Sequence, residues 1–131
     1  MKPIVLDTDV VSFLFKADSR ARSYIPDLRD RAWLISFMTE AELEQWVLLA
    51  NWSTQRTARL RMFMERFAIV PSSRDLVLKW AEVMVAGRRS GRPVENADAW
   101  IAATALRYEA PLLTHNKSDY LAVFGLELIS H

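Results

Sequence analysis

The chain predicts an α/β fold with a mainly parallel central sheet of four to five strands, and three observations carry that expectation. Its apolar runs are short and continuous rather than alternating, as strands buried on both faces are (Ile4-Val5-Leu6, Trp33-Leu34-Ile35-Ser36-Phe37, Pro111-Leu112-Leu113-Thr114). Between them the apolar residues recur at helical intervals, and strands alternating with helices are the α/β signature. The 131 residues, 51% hydrophobic and 25% charged, suit a single domain spanning 1–131, with no repeat and no internal boundary.

In chain order, residues 4–6 read as a first strand that stops at Asp7-Thr8-Asp9. Asp7 or Thr8 then caps a helix carrying Val10, Val11, Phe13 and Leu14. Residues 18–31, rich in Arg and Asp, read as a solvated helix. The strand at 33–37 gives way at Thr39 to a helix, with the apolar residues Leu43, Trp46, Val47 and Ala50 at helical intervals. Ser53-Thr54 restarts the helical pattern through Leu60, Phe63 and Phe67, and Ile69-Val70 is a brief extended piece ended by Pro71. After Ser72-Ser73 a long helix buries Leu76, Trp80, Val83 and Met84 and ends near Gly87. Residues 87–93, with two Gly, one Pro and three Arg, form the clearest loop. A helix over residues 95–108 is Ala-rich enough to lie close on a sheet. A strand at 111–114, a turn at 116–119 and a last strand near 126–129 complete the chain.

Composition excludes several chemistries. Without cysteine there is no disulfide, thiolate metal site or Cys nucleophile, and two histidines, His115 and His131, do not make a multi-histidine zinc site. Any metal must be held by oxygen. Seventeen bases against 16 acids give +1, too balanced for a protein that coats DNA by field alone. No apolar run approaches the ~20 residues of a membrane span, and Asp7 comes too early for a signal peptide, so the cytoplasm is the expected compartment.

The acids fall where ligands bind in such folds, beyond the carboxyl ends of the strands. Asp7 ends the first strand, Glu42 follows the second, Asp98 opens the helix before the third long strand, and Asp119 follows that strand. Each also has a structural reading: Thr39 and Glu42 as a capping box, Asp98 as a helix-dipole partner, Asp119 as a turn residue. Asp7 is harder to account for that way, because an acid interrupting a buried strand costs several kcal/mol. Carboxylates about 5 Å apart repel by about 3 kcal/mol per pair at an effective dielectric of 20. Gathered together they need protons, Arg partners or cations, and oxygen-only ligands suit Mg²⁺ or Mn²⁺ in phosphoryl-transfer chemistry. Such a pocket stores repulsion, so Asp7→Asn or Asp98→Asn is expected to leave metal-free stability unchanged or higher.

Four segments in order, Ile4-Val5-Leu6-Asp7-Thr8-Asp9, Ile35 through Leu43, Asp98 through Ala105 and Leu112 through Tyr120, resemble the PIN-domain ribonucleases. Within them the resemblance is to the VapC-type toxins of toxin–antitoxin pairs. It implies a PIN-like three-layer α/β/α fold in which Asp7, Glu42, Asp98 and Asp119 hold one or two Mg²⁺ or Mn²⁺ ions. It also implies cleavage of RNA by metal-activated water, leaving a 5′-phosphate and a 3′-hydroxyl. Thr8, Ser36, Thr39, Thr114 and Asn116 would orient carboxylates or water. The implied partners are a second copy of the chain and a cognate antitoxin, through which alone DNA is bound. Asp9 stands where the family commonly has Asn, either as a helix cap or as an added pocket oxygen. Arg88, Arg89 and Arg92 are candidate RNA-phosphate contacts, and His115 is read as a bystander.

Three rivals remain. Asp7-Thr8-Asp9-Val10-Val11 also fits the start of the HAD-type phosphatases, with Asp7 as nucleophile, but Thr114, Lys117 and Asp119 crowd into six residues where that family spreads them. A phospho-receiver would want its Asp where this chain has Thr39-Glu40. A PIN-like module without activity, kept for protein binding, would have no use for the intact acidic set.

Overall fold

The computed structural model describes all 131 residues. Strand β1 (Lys2–Leu6) is followed by α1 (Thr8–Lys16), a 3-10 turn (Ser19–Ser23), α2 (Ile25–Leu28) and β2 (Arg31–Ser36). Then come α3 (Phe37–Leu49), α4 (Thr54–Met64), β3 (Ala68–Val70), α5 (Arg74–Arg89) and α6 (Asn96–Arg107). The chain closes with β4 (Leu112–Leu113), a second 3-10 turn (Lys117–Tyr120) and β5 (Leu128–Ile129). All five strands are parallel, in the order β3-β2-β1-β4-β5. Long β1 and β2 lie toward the middle, while the edge strands hold only three and two residues.

The period of two along β1 divides the core. Ile4 and Leu6 point into a cluster with Val10, Val11, Leu43 and Leu60 from α1, α3 and α4. Val5 points the other way, into a cluster with Val83 of α5 and Ala99, Ile101, Ala102 and Ala105 of α6. Helices thus cover both faces, which is why the strands read as unbroken apolar runs. The three alanines bring α6 close against the sheet, and all three are wholly buried.

Three expectations need correction. Residues 18–31 are not a solvated helix: the 3-10 turn and α2 anchor Ala21, Tyr24 and Leu28 in the core, and Arg31 already belongs to β2. Helix α3 begins at Phe37, not Thr39, because Ser36 caps it by accepting from the Met38 N–H at 3.0 Å. Helix α5 passes through Gly87 to Arg89, so the loop starts later than residue 87. Gly87 marks a close approach and not a helix end, since a Cβ there would sit 3.0 Å from the Arg92 carbonyl oxygen.

Candidate active site

The strand order reverses between β1 and β4, and the crevice beyond their carboxyl ends is where such sheets bind ligands. Asp7 stands there as the N-cap of α1, 6% exposed. Its Oδ1 accepts from the Thr8 N–H (2.8 Å), and its Oδ2 accepts from the Thr114 hydroxyl (2.7 Å) and the Tyr120 hydroxyl (2.8 Å). The same phenol lies 3.3 Å from Asp98 Oδ1, in the first turn of α6. Three elements therefore meet at one hydroxyl.

Glu42 joins through Thr8, whose hydroxyl donates to Glu42 Oε1 at 2.7 Å and stands 3.0 Å from Thr39 Oγ1. The capping box expected of Thr39 and Glu42 is absent, since both side chains turn to Thr8. Asp9 does not cap α1 either, because Asp7 does. Asp9 Oδ1 accepts from the Val10 N–H, and its Oδ2 accepts from the His115 N–H (3.1 Å) and Asn116 Nδ2 (3.0 Å). Asp119 lies on the exposed turn after β4 and lines, with Arg92, Glu95, Asp98 and Ser118, a cleft of about 360 Å³. Ser36 is a helix cap and makes no hydrogen bond to any of these acids. Arg89 borders a different hollow on α5, beside Ala81 and Val85. The His115 ring turns away, its Nδ1 2.8 Å from the buried Tyr24 hydroxyl and its edge on Phe13.

Electrostatics sets this crevice apart. Burial pushes Asp98 up to about 7, helped by the charges of Asp7 and Asp119. Burial and the Asp7 charge do the same to Asp9, also to about 7. Asp7 and Glu42 are raised too, by burial first, against the hydroxyls that hold them. Tyr120 is held far above the ordinary phenol range by burial and by Asp7 and Asp98. None of the five ion pairs in the protein involves these acids. No three His, Asp or Glu side chains stand around one point as a finished metal cage. The donor set nonetheless fits a hard divalent cation: all oxygen, several carboxylates, none of them in an ion pair.

Two contributors escape the sequence. Glu95 repels Asp98 and Glu42 from the residue preceding α6, where the pattern marks only a helix start. Tyr120 follows Asp119 directly, but an aromatic after a turn is ordinarily core, and nothing in its spacing points to the carboxylates.

Comparison with known proteins identifies the family and the fold. The chain belongs to the PIN domain family, whose model matches residues 4–123. Family membership sets aside the phosphatase and receiver readings. The chain is similar to Ribonuclease VapC1 of Haemophilus influenzae, 29% identical with 94% of this chain and 93% of the relative covered. It is likewise 29% identical to a VapC ribonuclease of Sinorhizobium fredii, covering 97% and 96%. Among solved structures, VapBC-1 from nontypeable Haemophilus influenzae superposes with a TM-score of 0.83 at 25% identity, over 97% of this chain and 96% of that one.

Proposed function

We propose that this chain is a divalent-metal-dependent endoribonuclease and the toxin of a toxin–antitoxin pair. One observation carries the proposal: buried and half-buried carboxylates gather at the switch of a parallel sheet, and none of them forms an ion pair with a Lys or Arg. The names of its relatives, VapC ribonucleases and a VapBC complex, support RNA as substrate and an antitoxin as partner.

In this reading Asp7, Glu42, Asp98 and Asp119 hold Mg²⁺ or Mn²⁺, with Asp9 adding charge beside them. The bound cation supplies Lewis-acid polarisation of the phosphodiester and a lowered water pKa. The chain's own residues do the rest. Thr114 and Thr8 fix the rotamers of Asp7 and Glu42, and Asn116 fixes Asp9. Arg92, alone of the three loop-region arginines in lining the cleft beside Asp98, contacts a neighbouring phosphate. The products carry a 5′-phosphate and a 3′-hydroxyl. The toxin acts in the cytoplasm as a homodimer and meets DNA only through its antitoxin.

The test is incubation of the purified protein with structured and single-stranded RNAs, in Mn²⁺ or in EDTA, with the product ends mapped. Cleavage in Mn²⁺ alone with those ends is expected. Equal cleavage in EDTA, or none in either condition, would refute the assignment.

A further inference from the structure

We infer that Tyr120 is a positioning residue for the cation site, its buried hydroxyl tying Asp7 to Asp98 and deciding which carboxylate oxygens are left for a ligand. The inference rests on the metal-dependent reading above. Tyr120 is 1% exposed, and its ring is packed among Val83, Val94, Leu112 and Val123, so the phenol oxygen has little freedom to move. A buried phenol needs a hydrogen-bond partner, and a backbone carbonyl or a water would satisfy it. Here both neighbours are acids, Asp7 Oδ2 at 2.8 Å and Asp98 Oδ1 at 3.3 Å.

Counting lone pairs gives the consequence. Asp7 Oδ2 already accepts from Thr114, so the Tyr120 bond fills its second lone pair, while Oδ1 accepts only from Thr8. Asp98 makes no other side-chain hydrogen bond, so its Oδ2 is free. The phenol therefore directs Asp7 Oδ1 and Asp98 Oδ2 toward a cation. Its one proton goes mainly to Asp7 Oδ2 at 2.8 Å, with Asp98 Oδ1 a weaker second acceptor at 3.3 Å, so the bond fixes Asp7 and limits how far Asp98 turns from it before the cation arrives. Hydrogen-bond partners of this kind are typically worth about 10–100-fold in metal affinity.

Tyr120→Phe keeps the ring and removes only the hydroxyl. Mn²⁺ titrations by calorimetry and by electron paramagnetic resonance, at fixed pH, are expected to give a dissociation constant about 10–100-fold higher than in the wild type. Excess Mn²⁺ should restore RNA cleavage. A hydroxyl that served packing alone would lower the melting temperature equally in EDTA and in Mn²⁺ and leave the dissociation constant unchanged, which would overturn the inference. Tighter binding in the variant would overturn it as well, since the phenol would then be a competitor of the cation. A second readout needs no variant: adding Mn²⁺ to the wild type should give a tyrosine difference band in the near ultraviolet, and its absence counts against the role. A wild type that binds no Mn²⁺ removes the metal-dependent reading itself, and the role of Tyr120 with it.

Discussion

Asp98 and Asp7 carry the same charge, yet amide substitution should affect them in opposite directions. Asp98 is half-exposed, accepts one long hydrogen bond and is repelled by Asp7 and Asp119. Asp98→Asn is expected to abolish metal-dependent RNA cleavage while leaving the melting temperature in EDTA unchanged or higher. Asp7 accepts three hydrogen bonds over its two oxygens, and whichever oxygen becomes an amide NH2 in Asn loses its share and faces a donor instead. Asp7→Asn should therefore cost about 1–3 kcal/mol in urea denaturation, against the uniform relief expected from charge alone. The pH dependence follows from the same residues. Asp9 and Asp98 lie near 7 in the folded protein against 3.8 for an unperturbed Asp, so folding favours their protonated forms. In EDTA that stabilisation is complete below about pH 4 and is lost as pH rises through about 7. Thermal melts near pH ~5.5 should exceed those near pH ~8, and Asp98→Asn should narrow the gap. Apart from Tyr120 and Glu95, the acids and their hydroxyl partners stand out in the sequence because each closes or follows an apolar run or, like Asp98, opens a helix. Only the chain's three-dimensional path brings a phenol back to them.

Among the elements, α6 and the segments around it show what pattern reading captures and what it misses. The alanines of α6 announce close packing, and Ala102 sits with no exposed surface beside Val5 and Leu112. Ala102→Leu should overpack this layer and lower unfolding free energy by about 1–3 kcal/mol, measurable as an earlier urea midpoint with an unchanged m-value. The start of α3 is ambiguous in sequence because Ser36 and Thr39 are both good caps, and only the backbone selects between them. Residues 18–31 hide their three anchors among charges, since Ala21, Tyr24 and Leu28 are too few for a periodic signal. Gly87 looks like punctuation but makes room for the returning loop. Strand positions are more secure than these, because the apolar runs are too short for a helix and suit a strand covered on both faces, although Phe37 at the end of one of them is already helical.

Over the whole molecule, the near-zero net charge conceals a separation. Six acids (Asp7, Asp9, Glu42, Glu95, Asp98 and Asp119) belong to the crevice and its rim, leaving ten to offset 17 Lys and Arg over the whole chain. The outer surface is thus more basic than the total suggests, which suits steering of a polyanion toward an acidic mouth. Arg92→Ala should weaken RNA binding irrespective of sequence and reduce the salt dependence of log K by about one unit, in filter-binding titrations across a salt series. Arg89→Ala, on the far hollow, serves as the comparison. The tapering of the sheet has its own consequence. With three residues on one flank and two on the other, neither rim offers a stranger's backbone a rail long enough to grip. Concentrated solutions should accordingly resist fibril formation without any help from charge.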